Sequence, residues 1–198
     1  MRKRQNMVGV ILAGGESIRM GTDKAMLLLN GLPLIQRIAG ILHGVFDKVV
    51  IVSDRGNPYR FLNLPVYPDI EKNCGPLGGI HSAFVHEDAQ SLFVVGCDTP
   101  FISTGLVNYI CDFESLDDIK VPTMGGQVHP LCGVYNRRIM LQLEENLRAG
   151  LLSVEFLLEK VHPAIIPVTP DLPFYDRNLL TDINNTDDYQ NLVSHAAH

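Results

Sequence analysis

The sequence predicts an α/β protein: a mostly parallel central sheet with helices on both faces, a three-layer arrangement. Two observations carry that expectation. Strands and helices alternate through the first half of the chain, and each early strand is a continuous apolar run, as expected of strands covered on both faces. A third observation says where a ligand belongs. The polar clusters at 13–24, 53–55, 69–79 and 98 each follow a strand, and such sheets bind ligands beyond the carboxyl ends of their strands. The clusters are therefore expected to converge on one edge.

Taken in order, residues 1–6 read as a solvated, flexible basic tail, and 8–12 as the first buried strand. Residues 25–29 are apolar, and Asn30-Gly31 is a turn signal. Leu32-Pro33-Leu34 is expected to start a helix with Pro33 in its first turn, and Leu34, Ile35, Ile38, Ile41, Leu42 and Val45 follow helical spacing. Residues 48–52 form the second strand and Val66-Tyr67 a short third. The loop 71–79 leads into a helix from Ile80 to about His86. Residues 92–95 are the fourth strand, and Ser103 or Thr104 caps a helix carrying Leu106, Val107 and Ile110.

The second half is read more coarsely. Residues 119–122 are a strand, Gly125-Gly126 a turn, and 128–135 an extended segment. Residues 137–148 form a helix stopped by Gly150, and Ser153 caps a shorter one to about Lys160. Residues 164–168 are a late strand and 179–184 are extended. Thr186 is expected to cap a last helix through Tyr189 and Leu192.

At 198 residues the chain is long enough for one domain with a full core. An apolar content of 46% and a mean hydropathy of +0.11 place it among globular rather than disordered chains. The formal net charge of −6 argues against a nucleic-acid partner, which needs a basic face. A nucleotide needs only a few local cations and a metal. Cys74, Cys97, Cys111 and Cys132 show no Cys-x-x-Cys spacing, so no zinc site is expected, and scattered thiols fit a reducing cytoplasm. No run approaches the roughly 20 apolar residues of a membrane span. The apolar run after the basic start is too short for a signal peptide and breaks at Gly14-Gly15-Glu16.

The stretch after the first strand is the richest in chemistry. Small residues at 13–15 let backbone approach a ligand, consecutive amides can form a concave anion site, and Arg19 and Lys24 can reach the same anion. Alone, the same residues also read as a turn with two surface cations. Neither the Walker A pattern nor Gly-x-Gly-x-x-Gly is present. The full string, Leu12-Ala13-Gly14-Gly15-x-Ser17-x-Arg19-Met20-Gly21-x-Asp23-Lys24, says more: over ten specified positions it closely resembles the signature of molybdenum cofactor guanylyltransferases. The resemblance runs from 8 to about 188 and is strongest before 102. It implies a Rossmann-like nucleotidyltransferase fold over one domain, 1–198. In it, Leu12, Ala13, Gly14 and Gly15 hold the nucleotide, Arg19 faces the leaving phosphates and Lys24 contacts the triphosphate.

Further residues join this picture. Asp98 stands just beyond an apolar strand, where it could ligate a hard cation or cap the turn before Thr99-Pro100. The family's Cys-Asp-Thr-Pro-like element implies the metal role, with Mg2+ as cofactor. In an extended segment Asp182 and Asn184 face the same way. They resemble, with departures, a family Asn-x-Asn-Thr-Pro string, which implies an acceptor site or a second metal shell; an Asx-type turn is the other reading. Asp54 could accept from guanine N1 and N2 or serve as a turn residue, and Asp69 matches a family Asp near ribose and base. Gly75-Pro76-Leu77-Gly78-Gly79 resembles a family motif in which Gly78 and its neighbours let backbone approach the nucleoside. His129 could contact the pterin or be a packing histidine.

The resemblance implies transfer of GMP from GTP to molybdopterin, with or without molybdenum, giving the guanine dinucleotide cofactor and pyrophosphate. The expected partners are those two substrates and proteins that make or insert the cofactor, with no nucleic acid and no membrane. The expected location is the cytoplasm. A relative using CTP, or another small nucleotidyltransferase, is the alternative, against which Ala13-Gly14-Gly15, in place of Ala-Ala-Gly, leans toward guanine. A non-catalytic cofactor-binding chaperone is the alternative from another class, and joint retention of Arg19, Lys24 and Asp98 argues against it.

Overall fold

A computed structural model of the chain describes residues 3–14, 23–55, 58–183, 185 and 188–190. Strand β1 (Arg4–Leu12) is followed by a 3-10 turn (Lys24–Met26) and a hairpin of β2 (Leu28–Leu29) and β3 (Leu32–Pro33). Helix α1 (Leu34–Val45), β4 (Phe46–Val52), β5 (Val66–Tyr67), α2 (Gly75–His86), β6 (Ser91–Gly96) and α3 (Thr104–Asp112) come next. Then follow β7 (Ile119–Met124), β8 (Gln127–Val128), β9 (Cys132–Asn136), α4 (Met140–Arg148), α5 (Val154–Val161) and β10 (Ala164–Pro167).

Eight strands form one sheet in the order β10-β7-β9-β6-β1-β4-β5, with β8 paired to β7. The run β6-β1-β4-β5 is parallel, as is β10 on β7. Strand β9 is antiparallel to both neighbours, β6 and β7. Side chains of β1 alternate between two cores. Ile11 packs with Ile35, Ile38 and Leu42 of α1 and Leu106 and Ile110 of α3. Val8, Val10 and Leu12 pack with Ile80 and Phe84 of α2, Leu143 of α4 and Leu157 of α5. The three expected layers are present. Gly9 is small for a reason: a Cβ there would stand 2.9 Å from Phe46 Cδ2, so the first strand makes room for the first helix-strand junction.

Register places the site. Leu12 is level with Val52 on one side and Gly96 on the other, and Val52 is level with Tyr67. The loops after β1, β4, β5 and β6 therefore leave the sheet at one edge, as the distribution of polar clusters predicts.

Several boundaries differ from the sequence reading. The basic tail is shorter than expected, because β1 begins at Arg4, whose guanidinium reaches Asp112 Oδ1 at 2.6 Å. Pro33 lies in β3 and precedes α1 rather than sitting in its first turn, because Leu34 N–H is already bonded to Leu27 O. Helix α2 begins at Gly75, not Ile80, so the glycine motif is helical. Pro at the start of a helix loses no intrahelical bond. Ser103 caps α3 through Leu106 N–H at 3.1 Å, whereas Ser153 makes no such cap on α5. Residues 177–180 turn rather than extend. Asn185 and Asp188 bond reciprocally to each other's amides, which makes Asn185 the cap of the last described helical turn; Thr186 and Leu192 lie outside the described residues. Among the described residues no helix is long and apolar enough to cross a membrane, and all four cysteines are free.

Candidate active site

The first wall grows from the end of β1. Ala13 N–H donates to Val52 O at 2.9 Å, and Ser53 Oγ donates back to Ala13 O at 3.1 Å, so the chain stays pinned to β4 after the strand ends. Gly14 is exposed. Among the described residues, a Cβ on it would meet only Asp69 Oδ2, at 3.6 Å. Across from it, a Cβ on Gly79 would stand 2.9 Å from Leu12 Cδ2 and 3.7 Å from Asp69 Oδ1. Leu12, Gly14, Asp69 and Gly79 thus form one close surface that leaves backbone within reach of a ligand. Gly78 sits one residue back, buried over Cys74 and Glu71 O, so its smallness serves packing of the loop onto α2.

Asp69 is the polar feature of that surface. It is half-buried, and its Oδ1 has no hydrogen-bond partner among the described residues. Burial and then the Asp54 charge push its carboxyl above the usual carboxylate range, against the pull of Lys72. Asp54 is itself engaged. Its Oδ1 accepts from Asp69 N–H at 2.9 Å and pairs with the Lys72 ammonium, so it braces the loop behind Asp69.

The second wall lies at the end of β6. Cys97 N–H donates to Leu12 O at 3.0 Å, and Gly96 N–H to Leu131 O at 3.0 Å, which delivers Asp98 beside the end of β1. Asp182 arrives from a segment without regular structure. Thr99 Oγ1 donates to Asp182 Oδ1 at 2.9 Å, and Ile183 N–H to Asp98 O at 2.8 Å. The Ile183 side chain is fully buried with Leu29 and Leu34, which anchors the segment. The Asp98 carboxyl is raised by burial and then by the Asp182 charge, and Lys24 and a backbone bond oppose the rise. The Asp182 carboxyl is raised by burial, against its bond from Thr99 and the charge of Lys24. Two carboxylates and the charge of one ammonium, from distant parts of the chain, therefore act on one another. A pair of half-buried carboxylates that repel each other is the donor set a hard divalent cation suits.

Of the residues expected from sequence, Leu12, Ala13, Gly14, Asp54, Asp69 and Gly78 come together on the first wall, and Lys24, Asp98 and Asp182 on the second. Gly15, Arg19 and Asn184 lie outside the described residues. His129 is half-buried, and burial lowers its imidazole below the ordinary histidine range. Among the described residues no group of three or more His, Cys, Asp or Glu is arranged around a metal position. Magnesium commonly takes only one or two carboxylates and completes its shell with substrate phosphates, so the Asp98–Asp182 pair fits it.

Sequence reasoning assigned no role to Tyr59 or Thr99. Tyr59 is fully buried and donates to Asp23 Oδ2 at 2.8 Å, across 36 residues. The trace in the sequence is an aromatic residue directly after the turn-forming run Ser53-Asp54-Arg55-Gly56-Asn57-Pro58.

Residues 9–164 match the model of the MobA-like NTP transferase domain. A probable molybdenum cofactor guanylyltransferase of Pelotomaculum thermopropionicum is 40% identical over 184 residues, covering 88% of this chain and 89% of that one. A protein of the same description from Peptoclostridium acidaminophilum is 32% identical over 164 residues, covering 79% and 74%. Among solved structures, molybdopterin-guanine dinucleotide biosynthesis protein A from Archaeoglobus fulgidus superposes with a TM-score of 0.80 at 23% identity, covering 96% of this chain and 98% of that one. The likeness in fold, the strand-end site and the matched family model agree: the chain belongs to the MobA-like NTP transferase family and is an enzyme of the nucleotidyltransferase type.

Proposed function

We propose that the protein transfers GMP from GTP to the terminal phosphate of molybdopterin or its molybdenum-loaded form. The products are the guanine dinucleotide cofactor and pyrophosphate. The observation that carries this reading is the convergence, at one sheet edge, of a glycine-lined wall with the Asp98–Asp182–Lys24 cluster. The names of the relatives supply the guanine and the acceptor.

In the reaction an acceptor phosphate oxygen forms a bond to the α-phosphorus as the bond from that phosphorus to the bridging oxygen breaks. The electron pair leaves with pyrophosphate. The attacking phosphate is already an anion, so no strong base is required, and catalysis rests on alignment and charge stabilisation. The Gly14 and Gly79 surface admits the nucleoside against Leu12. Asp69 Oδ1, without a hydrogen-bond partner among the described residues, is an acceptor there for an N–H or O–H of the base or ribose. Lys24, with Arg19 as the signature implies, stabilises charge on the departing pyrophosphate. Mg2+ held by Asp98, with Asp182 as its second carboxylate, would neutralise the reacting phosphate. The family string implies an acceptor-site or metal-shell role for Asn184, which lies outside the described residues.

The test is to incubate the protein with magnesium, molybdopterin and each nucleoside triphosphate in turn, and to follow pyrophosphate. Release with GTP is the expected result. Release with CTP and not GTP would overturn the guanine assignment. Binding of GTP and molybdopterin with no pyrophosphate would point to the chaperone instead.

A further inference from the structure

The loop after β4 touches both walls of the site. Its first residues, Ser53 and Asp54, hold Ala13 O and Asp69 N–H on the nucleoside side. Its far end turns the other way. Tyr59 Oη donates to Asp23 Oδ2 at 2.8 Å, and the Arg55 guanidinium lies 3.5 Å from Asp23 Oδ1. That Oδ1 also accepts from Ala25 N–H at 3.1 Å and so caps the 3-10 turn that opens with Lys24. Asp23 is thus held on both oxygens, by the turn it caps and by the loop after β4.

The Tyr59 ring is fully buried, packed in the core that contains α1 and α3. Its hydroxyl points out of that core at a single carboxylate. Burial and the neighbouring Asp23 both push the phenol well above its ordinary range, so it stays a protonated donor throughout the physiological range. A fixed aromatic in the main core is a rigid reference point, and a short turn with one cap is not. Lys24, adjacent to the cap, is near enough for its charge to act on the Asp98 and Asp182 carboxyls.

We propose that Tyr59 is a positioning residue for Lys24: its hydroxyl fixes the Asp23 carboxylate, which fixes the turn that aims the ammonium at the carboxylate pair. This rests on the reading that Lys24 meets the triphosphate. The loop after β4 then sets the spacing between the nucleoside wall and the phosphate wall, since Asp54 holds one and Tyr59 the other.

Tyr59→Phe removes one oxygen and keeps the ring in the core. In the full chain, with magnesium, GTP and molybdopterin, kcat for pyrophosphate release is expected to fall about tenfold to a hundredfold, as for a small misplacement of a charged group, with KM for GTP within about threefold. The discriminating measurement is a double-mutant cycle with Lys24→Ala. Once the ammonium is gone, Tyr59→Phe is expected to cost less than about twofold. A Lys24→Ala protein that keeps full turnover overturns the role of Lys24, and the proposal with it. A crippled Lys24→Ala protein in which Tyr59→Phe still costs its whole factor overturns the positioning role alone. Should Tyr59→Phe lose its cooperative melting transition, Asp23→Asn carries the same cycle with the core aromatic intact, and the same two outcomes apply.

Discussion

Replacing Gly96 with alanine separates folding from function at a single atom. Gly96 ends β6, and its backbone lies outside the positive-φ region, so alanine is conformationally allowed. Its new methyl group would overlap Asp98 Oδ1 and stand 3.6 Å from Asp98 Cγ and 3.9 Å from Leu131 Cβ. Only the carboxylate oxygen lies too close, and it is the free end of a side chain. The strand therefore holds and the carboxylate swings away by about 1 Å, a displacement that in a preorganised site costs on the order of 10²-fold in rate. That equals about 2.7 kcal/mol of lost transition-state stabilisation.

The stability cost is small by comparison. An alanine that moves one side-chain end and leaves the backbone in place changes stability by less than about 1 kcal/mol, or a melting shift below about 4 °C for a chain of this size. The assay is pyrophosphate release at saturating GTP across a magnesium titration, paired with thermal unfolding of the same preparations. Full turnover in Gly96→Ala with an unchanged melting temperature would refute the placement of Asp98 at the chemistry. Loss of turnover with a melting temperature lowered by more than about 10 °C would show instead that the strand end had collapsed.

Three further outcomes follow from the same geometry. Asp98 and Asp182 both have carboxyls raised in the folded state, so their contribution to stability is complete below the unfolded aspartate value near about 4 and is lost as pH rises through the folded values. Metal-free Asp98→Asn should therefore melt higher than the parent at pH 7, with the gap closing toward pH 4, and should be inactive; melting curves in chelator across that range check it, and a lower melting temperature at neutral pH would refute it. Asp54→Ala removes the acceptor that braces Asp69 N–H, and should raise KM for GTP by about tenfold with kcat within about threefold, because one hydrogen bond to a carboxylate supports binding rather than the reacting centre. A fall in kcat alone would contradict that. Ser103→Ala deletes the cap on α3 at a distance from the chemistry and should cost about 1 kcal/mol of stability with turnover unchanged.

The site's frame was readable where backbone chemistry is local. The runs within β1, β4 and β6 are apolar because both faces are covered, and each is followed by residues that cannot continue a buried strand. That combination points to one sheet edge, and the register of β1, β4, β5 and β6 brings their following loops out there. What escaped the sequence depends on partners far along the chain. An apolar run does not carry a direction, so the antiparallel insertion of β9 between β6 and β7 was not visible. Glycines read as loop at 75–79, yet Gly79 is in α2, and it is glycine because Leu12 leaves little room for a side chain there. Asp182 joins Asp98 through Thr99, 83 residues earlier, and Tyr59 meets Asp23 across 36; nothing in residue spacing encodes either pair. Asp54 read both as an acceptor for the base and as a turn residue. Its carboxylate braces the Asp69 loop, through partners, Lys72 and the Asp69 amide, that spacing does not announce.

The anchoring of Ile183 beside Leu29 and Leu34 bears on the order in which the enzyme is made. Every described strand of the sheet has been synthesised by Pro167, and with them the glycine-lined surface and Asp98. Asp182 follows, carried into place by Ile183 as it docks on the hairpin that comes after Lys24. A nascent chain can thus close its sheet and present a nucleotide surface while the second carboxylate is still inside the ribosome. The carboxylate pair is assembled only after the rest of the edge exists.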